Sequence, residues 1–217
     1  MLKENLGFHK LQQLCDGPTG VARIDKNITV CRYRNGFFMF LYGNHPEEKR
    51  YMARFEDVSA YLDWTLYPAW IGKGELCRCP EELDLAVQQA YFASRCAKVK
   101  EQDQQSYATI GLYQILIPYA SSPHMRKFME GYLAPLLKNT SDQATELLKT
   151  AIAYVQAEGH LDITAKELYC HRNTVRYRLN KLHDLLSPGV NDMVFYTKLS
   201  TAVRIYLLNT DIEIIES

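Results

Sequence analysis

Residues 171–186, HRNTVRYRLNKLHDLL, carry the strongest pattern in the chain. On a helical wheel at about 100° per residue, one line of positions is entirely apolar. Its members are Val175, Leu179, Leu182 and Leu186. The opposite line is polar and consists of Asn173, Tyr177, Asn180 and Asp184. The spacing therefore predicts a helix over 173–186 that buries one face in a core and exposes the other.

Three more helices are predicted around this one. Ser141 or Asp142 can cap the first, Asp162 the second and Asp192 the last, since these residue types favour helix N-caps. The second helix is very short and covers 163–169. A short helix, a tight turn and a longer helix are typical of a helix-turn-helix unit.

The front half has the pattern of a small α/β domain. Two β-rich runs, 28–33 and 37–42, flank an Asn-Gly step, which predicts a hairpin. The second run is nearly all apolar and indicates a central strand covered on both faces. A helix over 48–64, a short strand over 67–72 and a helix that begins at Pro80 follow.

The fold class expected from this order is α+β, a small N-terminal α/β domain followed by an all-α helix-turn-helix domain. A polar break at 139–142 sets the boundary before the last domain. The expected segments are an N-terminal helical segment over 1–26, the α/β domain over 27–106, a helical connector over 107–140, the helix-turn-helix domain over 141–210 and a tail over 211–217.

The charge distribution is uneven although the whole chain is neutral. The 217 residues include 25 basic and 25 acidic side chains, so there is no global attraction to nucleic acid. Between His160 and His183, however, five basic side chains face two acidic ones, a local excess of three positive charges. Any binding to DNA must come from this local patch.

The exposed face of the predicted helix has the chemistry that DNA recognition requires. The major groove admits one α-helix, and Arg and Asn make paired hydrogen bonds to guanine and adenine edges. Residues at the start of a recognition helix reach deepest, whereas Thr, Tyr and Arg further along can bind phosphates. One alternative is a solvated face of an ordinary four-helix domain, and another is a small-molecule-sensing or protein-interaction module that no longer binds DNA. The candidate DNA-contacting residues are His171, Arg172, Asn173, Thr174, Arg176, Tyr177, Arg178 and Lys181.

The string over 171–179 closely resembles the C-terminal helix-turn-helix of the PucR/CdaR family of bacterial transcription regulators. The segments 146–150 and 165–168 resemble the family's two preceding helices. The resemblance implies a sequence-specific DNA-binding regulator. By position it makes Arg172, Asn173, Thr174 and Arg176 the first DNA contacts, with His171, Tyr177 and Arg178 behind them.

The front half is similar to the degenerate GGDEF-like domain that precedes this helix-turn-helix in CdaR-type regulators. A working diguanylate cyclase needs carboxylates for Mg²⁺ and phosphoryl transfer. Here the corresponding turn over 34–38 is RNGFF and lacks both acids. We therefore expect no cyclase activity, and the resemblance implies a regulator that is not an enzyme.

Other functional classes have little support. No run of eighteen apolar residues and no signal-peptide pattern is present, so we expect a cytoplasmic protein. The six cysteines are scattered, and Cys77 and Cys79 have the wrong spacing for a zinc site. The segment 72–74, Gly-Lys-Gly, is too short for a phosphate-binding loop. We expect no metal and no cofactor.

Two kinds of partner besides DNA are expected. A recognition helix that enters successive major grooves requires a homodimer, for which the front domain or the last helix can supply the interface. An aromatic group in the front domain can hold a small-molecule effector or form core; its members are Trp64, Tyr67 and Trp70. The apolar candidates for the dimer interface, which can equally pack within one subunit, are Tyr206, Leu207, Ile212, Ile214 and Ile215.

Overall fold

The computed structural model describes residues 27–33, 36–43, 48–61 and 69–216. The helical segment expected over 1–26 lies outside the described residues, as do the turn residues 34–35 and the aromatic positions Trp64 and Tyr67. The described residues form two compact units that meet in sequence at Gln114 and Ile115. The helices over 115–137, expected as a connector, therefore belong to the second unit.

The front unit combines short strands with two helices, as its sequence predicts. Strands β1 and β2 form an antiparallel hairpin, and β3 pairs with β4 in parallel. The hairpin prediction is confirmed, but the expectation of a central strand is wrong, since β2 pairs only with β1 among the described strands and most of its residues are half-buried. The elements are β1 (Ile28–Tyr33), β2 (Gly36–Leu41), α1 (Glu48–Tyr61), β3 (Ile71–Lys73), a 3-10 turn (Pro80–Glu82), α2 (Leu83–Val99), β4 (Gln104–Ser106) and a second 3-10 turn (Tyr107–Thr109).

Two glycines let β3 and the residues after it lie directly on α2. A Cβ added at Gly72 would stand 2.0 Å from the Ala90 carbonyl oxygen and 2.2 Å from the Ser94 nitrogen. At Gly74 it would stand 2.6 Å from the Ala86 carbonyl oxygen. Glycine in or beside a strand often marks such a close backbone approach. The Gly-Lys-Gly segment therefore serves packing.

We predict that Gly72→Ala destabilises the front unit by about 2 kcal/mol or more, because the added methyl group overpacks a rigid backbone contact. Urea unfolding followed by circular dichroism measures the change. Gly131 is the matched control, since nothing lies within 4 Å of a Cβ added there. Because Gly131 lies inside a helix, Gly131→Ala is expected to stabilise by about 1 kcal/mol. Equal effects of the two substitutions would contradict this account of β3.

The second unit is helical, and the four helices predicted after residue 140 are all present. The connector helix α4 packs on α5 and α8, which explains its place in this unit. Of the expected dimer candidates, Tyr206 and Leu207 are half-buried within the unit. The helices are α3 (Tyr113–Tyr119), within which the boundary between the units falls, α4 (Pro123–Leu137), α5 (Asp142–Gln156), α6 (Leu161–Glu167), α7 (Arg172–Leu186) and α8 (Asp192–Glu216).

Two predicted N-caps are wrong. Helix α6 begins at Leu161 after His160, so Asp162 lies inside its first turn and does not cap it. Helix α8 begins at Asp192, and the side-chain oxygen of Asn191 accepts the Val194 amide at 3.0 Å. Both helices start one or two residues earlier than the aspartates suggest. In α5, by contrast, the Ser141 hydroxyl accepts the Ala144 amide at 3.2 Å, so Ser141 is the cap.

The apolar stripe of α7 forms part of the core of this unit. Val175, Leu179 and Leu182 are at most 2% exposed, whereas Leu186 at the end of the stripe is half-buried. Helices α5 and α6 supply most of the surface against which α7 packs. Among the residues that the structure describes, no helix is long and apolar enough to cross a membrane.

Candidate nucleic-acid interface

The recognition-helix candidate α7 begins with a side-chain cap. The Nδ1 atom of His171 accepts a hydrogen bond from the Asn173 amide at 3.2 Å, and the His171 carbonyl accepts from the Thr174 amide at 2.8 Å. The helix therefore starts at Arg172, one residue before the predicted start. Because capping occupies Nδ1, only Nε2 of the His171 ring remains to meet a ligand.

The structure brings most of the predicted DNA-contacting residues to one exposed surface at the start of α7. The exposed members are His171, Arg172, Asn173, Arg176 and Tyr177, and the half-buried members are Thr174, Arg178 and Lys181. We call these eight residues the α7 surface. Val175, Leu179 and Leu182 are buried whereas Asn173, Tyr177 and Asn180 are exposed, so the helical wheel expected from the sequence is confirmed for this helix.

The three arginines of the α7 surface have different surroundings. Arg178 Nη2 lies 3.0 Å from a Glu146 carboxylate oxygen on α5, and the Arg178 side chain is only 20% exposed. Arg172 Nη1 lies 3.3 Å from Asp162 Oδ2 on α6, and half of its side chain is exposed. Arg176 is exposed and makes no ion pair with any described residue. Arg176 is thus the arginine most available to an incoming anion.

Arg178 connects two helices in the folded protein. Its pairing with Glu146, 32 positions earlier in the chain, ties α7 to α5. An ion pair in which the arginine side chain is mostly buried restrains that arginine more than a fully solvated pair does. The sequence could not reveal this partner. We therefore place Arg178 behind Arg176 as a DNA contact.

Tyr177 and Lys181 are joined on the same face, one helical turn apart. The Lys181 ammonium lies 4.7 Å from the centre of the Tyr177 ring, within the range of a cation–π contact. This contact holds the lysine against the helix and keeps its charge on the exposed side. Together with Arg172 and Arg176 it makes the surface positive, as the local charge count predicts.

The turn between α6 and α7 carries an exposed tyrosine that the sequence analysis did not select. The Tyr169 amide donates to the Lys166 carbonyl at 3.2 Å, and the Cys170 amide donates to the Ala165 carbonyl at 3.0 Å. These two bonds form a Schellman motif, which places Tyr169 where glycine is preferred. Tyr169 accordingly has φ +50°, and its side chain is 97% exposed.

We predict that Tyr169→Gly stabilises the second unit by roughly 0.5–1 kcal/mol, because it relieves a left-handed conformation without loss of packing. Tyr169→Ala is the matched control: it removes the ring but retains the Cβ that causes the strain. Thermal unfolding followed by circular dichroism compares the two variants with the wild type. A midpoint that rises equally in both would show that the ring, and not the backbone, limits stability.

The far end of α7 is anchored by polar and aromatic contacts. The hydroxyls of Tyr132 on α4 and Ser187 lie 2.8 Å apart, and burial raises the pKa of the Tyr132 phenol. His183 Nε2 lies 3.0 Å from the Val190 carbonyl oxygen, and its ring packs edge-on against Phe195 at 4.7 Å. These contacts anchor the C-terminal end of α7 within the second unit.

A tyrosine pair joins α5 to α8 within the same unit. The rings of Tyr154 and Tyr196 lie 5.6 Å apart. The pKa values of both phenols are raised, in each case mainly because burial disfavours the charged phenolate. The folded protein therefore holds these protons more tightly than the unfolded chain does.

We predict that stability is full below about pH 10 and is lost as the pH rises through the folded-state pKa values, because the unfolded phenols release their protons first. Urea unfolding at neutral and at alkaline pH measures the effect. The Tyr154→Phe, Tyr196→Phe double variant, which has no phenol at either position, is expected to lose less stability over the same range. An identical alkaline loss in the double variant would contradict the assignment.

Metal and thiol chemistry have no organised site in the described part of the chain. No group of three or more His, Cys, Asp or Glu side chains there is placed to hold a metal ion. The Cys77 thiol donates to the Cys79 carbonyl at 2.9 Å. The pKa of the Cys79 thiol is raised, chiefly by its hydrogen bond with Glu81. A raised pKa lowers the thiolate fraction and so lowers nucleophilicity.

Comparison with known proteins identifies the second unit. Residues 147–205 match the PucR C-terminal helix-turn-helix domain. The chain carries a PucR-type helix-turn-helix domain. That match spans α6, α7 and most of α5 and α8, which contain the α7 surface. The resemblance stated for the string over 171–179 is thereby confirmed.

Two curated relatives have regulatory names. The purine catabolism regulatory protein of Bacillus subtilis is 38% identical over 85 residues, 39% of this chain and 16% of the relative. The proline-responsive transcriptional activator PutR of the same organism is 25% identical over 128 residues, 58% of this chain and 31% of the relative. The chain thus spans less than a third of either relative. No solved structure matches it. The GGDEF-like resemblance of the front half stays a prediction.

Proposed function

We propose that the protein is a sequence-specific DNA-binding transcription regulator in which α7 enters the major groove. The observation that carries this proposal is the position of Arg176 and Asn173, exposed directly beside the buried Val175. The PucR domain and the regulatory names of the two relatives support it.

Roles within the α7 surface follow from position and surroundings. Arg172 and Asn173 lie in the first turn of α7, where a recognition helix meets base edges. Arg176 lies one turn later, exposed and without an ion pair among the described residues, and suits a phosphate or a guanine. Thr174, Tyr177 and Lys181 flank it and suit phosphate contacts that fix the register. His171 supports the surface mainly as the helix cap.

The regulator is proposed to act as a homodimer. Two copies of α7 would enter major grooves one helical turn apart, about 34 Å, on a site with two-fold symmetry. Candidates for the interface remain the front unit and α8. A two-fold symmetric site doubles the number of base contacts and so provides specificity that a single helix of this length lacks.

We predict that Arg176→Ala weakens DNA binding at least tenfold and lowers its dependence on salt, because one phosphate or base contact is lost. Fluorescence anisotropy with duplexes from the region upstream of the gene, and with shuffled duplexes, measures both effects from low to physiological salt. Lys198→Ala is the control: it removes the same charge from an exposed position on α8, outside the α7 surface. It is expected to bind nearly as the wild type does.

Two results would contradict the proposal. The first is wild-type binding that does not distinguish the upstream duplex from the shuffled one. The second is an equal loss in Arg176→Ala and Lys198→Ala, which would indicate general attraction between cations and DNA rather than docking of α7. Circular dichroism of each variant confirms that the folds compared are the same.

A second candidate function, recognition of a small-molecule effector, is favoured by a cleft in the front unit. Its cavity of about 340 Å³ has the size of a ligand pocket. Phe38, Phe55 and Val87 give it apolar walls, and Lys73 and Glu75 add charge. Trp70 lines an adjoining cavity of about 110 Å³ and can report binding.

Tryptophan fluorescence tests the effector hypothesis. Trp64→Phe leaves Trp70 as the sole tryptophan, since the chain has two. A saturable change with one compound of a metabolite panel, lost when Phe38→Ala removes a cleft wall, would support an effector site. No change with any compound would leave DNA binding as the single proposed function.

A further inference from the structure

The ion pair between Asp162 and Arg172 links the two helices of the helix-turn-helix at its DNA-facing end. Asp162 lies in the first turn of α6, and Arg172 is the first residue of α7. Arg172 Nη1 donates to Asp162 Oδ2 at 3.3 Å. The side chains are 50% and 76% exposed, so the pair lies at the surface and not in the core.

Stability does not account for this pair, because solvent-exposed ion pairs contribute little to folding. Its effect is on the freedom of Arg172. A free arginine side chain samples many rotamers, and binding must freeze them. A carboxylate on a neighbouring helix selects the rotamers in which the guanidinium stays near the start of α7, before any DNA arrives.

The contact leaves Arg172 able to bind DNA. Guanidinium has five N–H donors, of which the single contact with Asp162 engages one nitrogen. Nη2 and Nε remain, and two donors in a fixed fork are what the O6 and N7 atoms of guanine require. Arg178 is different: only 20% of its side chain is exposed, so its pair with Glu146 holds it largely inside the unit.

Asp162 also acts on DNA directly through its charge. It is 76% exposed and negative, close to the end of α7 that approaches the phosphates. Such a charge repels DNA of every sequence. Only a duplex with a guanine in position to accept hydrogen bonds from Arg172 offsets this repulsion. Specificity, which is a difference of affinities, rises when nonspecific binding is penalised in this way.

We propose that Asp162 is a positioning residue that orients Arg172 toward a guanine and thereby sets base specificity. The proposal rests on the DNA-binding function proposed above. Asp162→Asn is expected to strengthen binding to random DNA, since one repulsive charge is lost. It is also expected to reduce discrimination at one G·C base pair of the site by about tenfold, within the range that one bidentate contact supplies.

The experiment uses the full chain and a duplex selected by the wild type from a random pool. Dissociation constants are measured for that duplex, for each single base-pair substitution and for random DNA. The variants are Asp162→Asn, Arg172→Ala and the double variant. Asp184→Asn is the matched control: Asp184 is 86% exposed in the same helix-turn-helix and has no arginine partner among the described residues.

The proposal predicts that Asp162→Asn lowers discrimination at the same base pair as Arg172→Ala, and that it has no further effect on that discrimination when Arg172 is absent. Asp184→Asn is expected to leave discrimination unchanged at every base pair. Unchanged discrimination in Asp162→Asn, or an equal loss with and without Arg172, would overturn the positioning role while leaving DNA binding intact. A wild type that selects no duplex would overturn both proposals. Thermal unfolding of each variant separates these effects from loss of fold.

Discussion

The burial of one face of α7 is the constraint on which the rest of the second unit depends. Val175, Leu179 and Leu182 are almost completely removed from solvent, and this fixes the rotation of the helix about its own axis. Rotation by one position would bury Arg176 and expose the stripe, at a cost that nothing in the unit could offset. The exposed side of α7 is therefore a consequence of packing, and five of the eight residues of the α7 surface are exposed in the absence of DNA.

The features that the sequence predicts correctly depend on residues that lie close together in the chain. A spacing of 3.6 residues identified α7 and its buried positions, and an Asn-Gly step identified the hairpin, because both depend on neighbours within a few residues. Asp162 was wrongly predicted as a cap: α6 begins at Leu161, and the Asp162 carboxylate instead pairs with Arg172 on another helix. The Arg178–Glu146 pair and the three-residue strand β4 depend on residues distant in sequence, and no local pattern indicates either. The apolar β2 was expected to be central for the same reason, since composition does not show how many strands pair.

The chain as a whole is neutral, but its helix-turn-helix carries an excess of positive charge. Five basic residues lie between His160 and His183, but the folded structure gives them unequal roles. Glu146 holds Arg178 against α5, Asp162 restrains Arg172, and Arg176 has no such partner among the described residues. A simple charge count treats these arginines as equivalent, but their surroundings differ. Arg178 is held against α5, Arg172 is oriented by Asp162, and Arg176 is available to an incoming anion. These differences arise from partners on other helices, which the sequence does not indicate.

Amide hydrogen exchange of the full chain with and without its selected duplex tests the central claim most directly, because it shows which backbone the DNA covers. The account predicts that protection on DNA binding is concentrated in the first turn of α6, the turn at Tyr169 and the N-terminal half of α7. The exchange rates of amides in α8 and in the front unit are expected to change much less on DNA binding. Protection centred on another surface, with α7 unchanged, would contradict the assignment of α7 as the recognition helix.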